Sequence, residues 1–126
     1  ADADPDLLRA CGLSRQKVKY ITGIAVAFRD GKMHVEDWQE WDDQAIIKEL
    51  IQLPGIGNWT AEMFLMFHLL RPDILPLLDL GLLKGFETHY SQPRAFLPDY
   101  AEIWRPYRSV ATWYLWRALD PVPVAY

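Results

Sequence analysis

The feature that most constrains this chain is a turn with two glycines and a proline that leads straight into an apolar run. Residues 53–67 read LPGIGNWTAEMFLMF. Two glycines in one turn allow backbone angles that other residues avoid. The run that follows predicts a helix from about Asn58 to Leu70, apolar on nearly every side, which is typical of a helix buried in a larger body. No alternating strand pattern competes with helices along the chain, so the predicted fold class is all-α.

The rest of the chain divides into further helices joined by short links. Apolar residues recur at helical spacing, and capping residues mark where helices begin. The predicted elements are a short helix from Pro5 to about Cys11, ended by Gly12; a helix capped by Ser14; a turn over VEDWQEW; a helix capped by Asp42 or Asp43; a short helix near Asp79; another in LPDYAEIWRP; and a long last helix in PYRSVATWYLWRALD, with Pro106 in its first turn.

The glycine turn predicts an anion site at the start of the helix that follows it. The backbone N–H groups of Gly55, Gly57 and Thr60 would point outward there. Such groups at a helix N-terminus bind anions, and a DNA phosphate is one anion of suitable size. The alternative is a tight helical hairpin in which the glycines serve only the bend.

The same turn suggests a cation site on its inner side. The backbone carbonyls of Ile51, Leu53 and Ile56 would turn inward on a small monovalent cation. No other cofactor is expected.

Composition excludes several other classes of protein. The single cysteine, Cys11, excludes an internal disulfide and a four-cysteine iron–sulfur cluster, and the three histidines lack zinc-binding spacing. The chain has no run of 18 apolar residues and no charged-then-apolar leader, so we expect an intracellular protein without a membrane span. The net charge of −4 weighs mildly against nucleic-acid binding, which usually leaves a basic footprint.

Three ordered motifs resemble those of a known superfamily. ACGLSRQKVKYI, LPGIGNWTAEMFLMFHLLRPDILPLLDLGLLKG and WRPYRSVATWYLW are similar, in this order, to motifs of the helix-hairpin-helix DNA glycosylases, and within them of the 3-methyladenine (alkylated-base) DNA glycosylase II family. The resemblance implies a hairpin motif over about residues 43–70. Nothing here resembles the family's earlier helical subdomain, so residues 1–126 are expected to be the C-terminal portion of such a domain.

The resemblance implies a monofunctional enzyme that flips an alkylated purine such as 3-methyladenine out of double-stranded DNA and hydrolyses its N-glycosidic bond. Asp79 stands where the family's catalytic aspartate stands. Taken alone, an aspartate before LGLLK is also a plausible helix N-cap, and both roles are compatible. Leu78, directly before it, departs from the family's pattern of a small or acidic residue. The other acids, such as Asp73, Glu62 and Glu87, are expected to be solvated.

The resemblance also implies a base pocket. Trp116 matches the family's stacking tryptophan, and Trp59 and Met63 match pocket-lining positions one helical turn apart. An aromatic face attracts a cationic base by about 0.5–2 kcal/mol. Bifunctional relatives carry a lysine where Trp59 stands, so water is the expected nucleophile. The alternative for each aromatic residue is simple packing.

Damaged double-stranded DNA is the expected partner. Arg105, Arg108 and Lys84 are candidates for phosphate contacts. The apolar helix after the turn has few elements to cover it, so self-association or binding to a second polypeptide is also expected. Two other functions stay open, a non-enzymatic helix-hairpin-helix DNA-binding module and a helical piece that has lost activity.

Overall fold

The computed structural model describes residues 1–119, which contain helices and no β-strand, so the all-α prediction is confirmed. The α-helices are α1 (Pro5–Ala10), α2 (Arg15–Arg29), α3 (Asp43–Leu50), α4 (Asn58–Phe67), α5 (Leu80–Tyr90), α6 (Leu97–Tyr100) and α7 (Arg108–Leu119). Short 3-10 helices cover Val35–Glu40, Arg94–Phe96 and Ala101–Trp104. None of the helices in this part of the chain has the length and apolar character needed to cross a membrane.

The chain forms two compact units, Ala1–Ala61 and a second that begins at Glu62. In the first unit, side-chain caps begin the helices at the predicted places. The hydroxyl of Ser14 accepts the Lys17 N–H, and the carboxylate of Asp42 accepts the Ala45 N–H at 2.8 Å. The buried apolar residues of this unit include Val18, Trp38, Ile46, Ile47, Leu50 and Leu53.

In the second unit, α5 packs closely against α7. A Cβ atom on Gly85 would lie 3.0 Å from the carbonyl oxygen of Leu115, so the two backbones approach here because residue 85 has no side chain. The core around this contact consists of Leu82, Phe86, Leu97, Ala101 and Leu115. This packing brings one face of α7 to the beginning of α5.

Two predicted helix ends were wrong. Helix α4 ends at Phe67, because Leu70 adopts a left-handed backbone (φ 56) and the N–H of Arg71 bonds to the Leu65 carbonyl, which closes the helix. Helix α7 begins only at Arg108, since the Ala111 N–H bonds to the carbonyl of Tyr107. Pro106 therefore precedes the helix rather than standing in its first turn.

Helix α4 is also less buried than its composition predicts. Ala61 and Leu65 are fully buried, whereas Trp59 and Phe67 are each 47% exposed. The helix thus has a buried face and an exposed apolar face.

Candidate active site

Asp79 is a buried carboxylate at the beginning of α5. Its residue is 8% exposed, and its Oδ2 accepts the backbone N–H of Leu82 at 2.7 Å. This is an N-cap hydrogen bond, so the capping role predicted from the sequence is confirmed. The loop before it is held as well, since the Asp79 N–H bonds to the carbonyl of Pro76 at 2.9 Å. The backbone around Asp79 therefore fixes the direction of its carboxylate.

Trp116, on α7, holds the same carboxylate oxygen. Its indole Nε1–H donates to Asp79 Oδ2 at 2.6 Å, and its ring stacks on Phe67 with centroids 5.9 Å apart and planes 14° apart. Sequence reasoning assigned Trp116 to base stacking and missed this hydrogen bond. The available signal was the indole N–H itself, because such a group usually has a hydrogen-bond partner when it is buried.

Gly81 makes room for the Asp79–Trp116 contact. A Cβ atom at this position would lie 3.2 Å from Asp79 Oδ2 and 3.1 Å from Cδ1 of Trp116. Contacts that short would require the pair to shift. Gly81 and Gly85 stand four residues apart on α5, so they lie on the same face of the helix and together admit α7.

Glu62, on α4, is half-buried rather than solvated, so the prediction for this residue was wrong. Burial, and secondly the negative charge of Asp79, raise the pKa of Glu62 to about 7. A carboxyl group taken partly out of water beside another carboxylate favours its neutral form. Asp79 and Glu62 are thus two carboxyl groups of the second unit that are both withdrawn from water to different degrees.

The other predicted charged residues are engaged with each other. The carboxylate of Asp73 accepts Nε–H of Arg108 at 2.8 Å and Nη1–H of Arg105 at 3.3 Å. Arg105 also pairs with Glu102 at 2.6 Å. Arg105 and Arg108 thus already have carboxylate partners, and their assignment to phosphate contacts stays a prediction. Lys84 is exposed on α5.

Asp73 and Glu87 are also paired rather than merely solvated. Two arginines hold Asp73, and Arg94 donates to the Glu87 carboxylate at 2.6 Å. The amino-acid sequence alone does not show the partners of Asp73, because they lie more than thirty residues away along the chain.

The hairpin turn lies in the first unit, and its two glycines have different environments. Gly55 has a left-handed backbone (φ 79), and a Cβ atom there would lie 2.4 Å from the ring of Tyr20. Gly57 has open space where its Cβ would be. The need for glycine at position 55 is therefore set by the fold, whereas position 57 faces outward. Gly57, Asn58 and Thr60 are exposed at the start of α4, as an anion site requires.

The carbonyls assigned to a cation stand at the end of α3 and in this turn. The Leu53 carbonyl accepts the Ile56 N–H at 3.2 Å. A carbonyl oxygen has two lone pairs, so this bond still leaves Leu53 able to ligate a cation. Within residues 1–119, no group of three histidine, cysteine, aspartate or glutamate side chains is arranged to hold a metal ion.

The remaining pocket residues lie on α4. Trp59 is 47% exposed, and Met63 is half-buried one turn later. Phe67, one further turn along the same face, is the residue that stacks on Trp116.

Relatives with named activities match this chain in sequence. It is 35% identical over 121 residues to DNA-3-methyladenine glycosylase 1 of Schizosaccharomyces pombe, an alignment that covers 92% of the chain and 53% of that enzyme. It is 31% identical over 116 residues to DNA-3-methyladenine glycosylase 2 of Escherichia coli, covering 92% of the chain and 39% of the enzyme. The chain spans about half the length, or less, of the curated relatives it matches. No family model matches it.

A solved structure with the same fold supports the relationship. The DNA-3-methyladenine glycosidase of Bacillus halodurans superposes with a TM-score of 0.87 at 31% identity, over 95% of this chain and 57% of that one. The chain is thus a homologue of the 3-methyladenine DNA glycosylases and shares their helical fold over about half of their length, which confirms the resemblance found in its motifs.

Proposed function

We propose that this chain carries the catalytic aspartate of a monofunctional DNA glycosylase that hydrolyses the N-glycosidic bond of alkylated purines in double-stranded DNA. The observation that carries this proposal is the buried Asp79 carboxylate, which Leu82 and Trp116 hold in one orientation. The names of the relatives support the substrate class. Such an activity implies a location with the cell's DNA, in the cytoplasm of a bacterium or the nucleus of a eukaryote.

Asp79 would act through its charge. The bond between the sugar and the base breaks through a transition state that resembles an oxocarbenium ion, and a carboxylate beside the sugar stabilises that positive charge. A preorganised carboxylate does this without a reorganisation cost, and the two N–H donors provide the preorganisation. Water then attacks the sugar carbon.

The base pocket is proposed to consist of Trp59, Met63 and Trp116. The half-buried Trp116 ring and the exposed Trp59 ring offer aromatic faces of the kind that attract a cationic base. An alkylated base that already carries positive charge is a good leaving group. These two effects favour damaged purines over normal ones.

DNA would bind through the hairpin turn. The exposed Gly55, Gly57 and Thr60 at the beginning of α4 support a phosphate contact through backbone N–H groups. We also propose that a monovalent cation binds the carbonyls of Ile51, Leu53 and Ile56. DNA affinity measured in K⁺ and in a bulky organic cation at equal ionic strength should then differ, and equal affinities would remove the cation from the proposal.

A second polypeptide is proposed as a further partner of the second unit. Exposed Phe67, Leu70 and Val110 line an apolar groove of about 280 Å³, and Met66 and Trp113 also contribute to it. Apolar patches of this kind mark interfaces. A second copy of the chain is the simplest occupant. Sedimentation equilibrium of the chain and of Leu70→Gln tests this, since a monomer at every concentration would contradict it.

The decisive experiment is Asp79→Asn. We expect it to retain DNA affinity and to release 3-methyladenine from alkylated duplex at least about a thousandfold more slowly, because several kcal/mol of barrier stabilisation are lost. Asp99→Asn is the matched control, since Asp99 is an exposed aspartate on α6.

Near-normal excision by Asp79→Asn would remove Asp79 from the mechanism. Salt-dependent DNA binding without base release by the unaltered chain would indicate the alternative function, a helix-hairpin-helix DNA-binding module. Neither binding nor release would indicate an inactive helical piece.

A further inference from the structure

The second unit contains a cavity of about 560 Å³ outside the candidate active site. The residues that line it are Tyr90, Gln92, Phe96, Asp99 and Tyr100. Sites for small ligands have volumes of about 300–1,000 Å³, so this cavity has a suitable size. Tyr90 is the last residue of α5, and Asp79 caps its beginning. Because the eleven residues of α5 span about 16 Å, the cavity and Asp79 lie at opposite ends of the helix.

Two tyrosine rings form a preformed wall of the cavity. The rings of Tyr90 and Tyr100 have centroids 4.7 Å apart and planes inclined by 55°. Both contact the fully buried ring of Phe86, at centroid distances of 5.3 and 5.5 Å. Trp104 lies 6.0 Å from Tyr90 and 5.9 Å from Tyr100. The core therefore holds the two tyrosine rings in place before any ligand binds.

A third aromatic ring lines the cavity from the segment after α5. Helix α5 ends at Ser91, which has a left-handed backbone (φ 54), and the 3-10 helix Arg94–Phe96 then contacts both α5 and α6. Phe96 is 56% exposed, so most of its ring is available to a ligand.

Asp99 gives the cavity its charge. Its side chain is exposed on α6 and makes no hydrogen bond or ion pair with the residues that the structure describes. Arg94, the nearest arginine in the sequence, is paired with Glu87 at 2.6 Å. Among the described residues that line the cavity, one is acidic and none is basic.

An aromatic face and a carboxylate both attract positive charge. Quaternary ammonium groups and methylated amines are recognised in proteins by aromatic rings that surround the cation. We propose that this cavity binds an organic cation, in the form of a quaternary ammonium or methylated amine group. The inference goes beyond the proposed base excision and does not depend on it.

A nucleobase is the competing ligand, because exposed aromatic rings also stack on unpaired bases. Sites of that kind combine the rings with a positively charged groove that follows the phosphates. Here Asp99 stands beside the rings, and its carboxylate repels a phosphate. Charge therefore favours the cation.

The test compares choline with 3,3-dimethyl-1-butanol, a neutral molecule of the same shape in which carbon replaces the charged nitrogen. Proton NMR follows the methyl groups in the presence of the full chain, since a group held over an aromatic face gives an upfield-shifted signal. We expect choline to bind more tightly than the alcohol by about fivefold or more. Equal affinities, or no binding of choline, would overturn the inference.

Two substitutions then assign the binding to this cavity. Asp99→Asn should reduce the affinity for choline to near that for the alcohol and leave the alcohol unaffected. Phe96→Leu should weaken choline more than the alcohol, because leucine keeps apolar contact but has no aromatic face. Asp6→Asn, at an exposed aspartate of the first unit, is the control. A preference for choline that survives both substitutions at the cavity would overturn the assignment.

Two sources can supply such a group, a free small molecule or a methylated lysine of a polypeptide. Tighter binding of acetyl-trimethyl-lysine amide than of choline would indicate a polypeptide, and the reverse order a small molecule; binding of either supports the site. Base release from alkylated DNA is measured separately. Its absence would contradict the proposed function and leave the cation site unaffected.

Discussion

The indole N–H of Trp116 donates to the carboxylate of Asp79 at 2.6 Å, across 37 residues of sequence. The same oxygen caps α5 through the Leu82 N–H. One carboxylate therefore joins the beginning of α5 to α7, and any change in the packing of these two helices moves the group on which the proposed chemistry depends.

Trp116→Phe should lower the rate of base release with a small effect on folding. Phenylalanine keeps an aromatic ring next to Phe67 but removes the N–H donor. A misplacement of a catalytic group by about 1 Å costs on the order of a hundredfold in rate, so we expect a 10- to 100-fold loss in single-turnover excision. Trp113→Phe, on the same helix, is the control. Equal losses in the two variants would show that the loss comes from disturbing α7 and not from the missing N–H donor of Trp116.

Gly81→Ala should slow excision without the stability gain that alanine usually brings to a helix. In a helix interior the replacement of glycine by alanine stabilises by about 1 kcal/mol, and Gly81, in the first turn of α5, should gain less. Here the new Cβ would press on Asp79 and Trp116 at about 3.1–3.2 Å. We expect at least a tenfold loss in rate and no rise in melting temperature. Thr88→Ala, at an exposed position of α5, should keep full activity; a stabilised and fully active Gly81→Ala would contradict the positioning role.

Local sequence signals predicted much of the fold. Ser14, Asp42 and Asp79 cap helices where their side chains and the following apolar periodicity indicated. The end of α4 was misplaced because the apolar run continues through Leu70, where the backbone turns into the left-handed region. Composition does not show such a change of direction at a non-glycine residue.

The sequence predicted the position of Asp79 in the candidate site but not the contact that holds its carboxylate. Asp79 is recognisable from its local motif, but its contact with Trp116 depends on the close packing of α5 and α7. Two glycines four residues apart on α5 were the signal for that packing, and the sequence reasoning did not use them. Glu62 was predicted to be solvated because the identity of one acidic residue does not indicate its burial. Its position within an apolar helix was the signal that it would be partly buried.

The two hairpin glycines should respond differently to alanine, although the sequence treats them alike. Gly55→Ala forces an alanine into a left-handed backbone, which costs about 1–2 kcal/mol, and drives its Cβ into the Tyr20 ring. We expect a clear loss of stability in urea denaturation. At Gly57 the added Cβ has open space, so Gly57→Ala should change stability by less than about 0.5 kcal/mol. The same variant should bind DNA more weakly. This loss should be the same for every DNA sequence, because phosphate contacts carry no sequence information.

A double variant separates the causes at position 55. If the collision with Tyr20 contributes, Tyr20→Ala together with Gly55→Ala should lose less stability than the sum of the two single changes. Fluorescence anisotropy with several undamaged duplexes measures the effect of Gly57→Ala. A sequence-dependent loss of affinity there would argue against a phosphate contact.

A buried carboxylate makes the stability of the first unit depend on pH. Glu49, 8% exposed, accepts hydrogen bonds from the Trp38 indole, the His34 ring and the His34 backbone N–H. Burial raises the pKa of Glu49, but these hydrogen bonds outweigh it and leave the pKa below its ordinary value of 4.5. The hydrogen bond that the His34 ring donates to Glu49, and then the negative charge of Glu49, raise the pKa of His34 above 6.5.

The two shifts give opposite limbs in a plot of stability against pH. The contribution of His34 is complete below pH 6.5 and is lost as pH rises through its raised pKa, whereas that of Glu49 is complete above pH 4.5 and is lost as pH falls through its lowered pKa. Melting temperatures should therefore fall as pH rises above 6.5 in the unaltered chain by more than in His34→Gln. His89→Gln, at an exposed histidine of α5, is the control. Parallel curves for the unaltered chain and His34→Gln would show that protonation of His34 does not stabilise the fold.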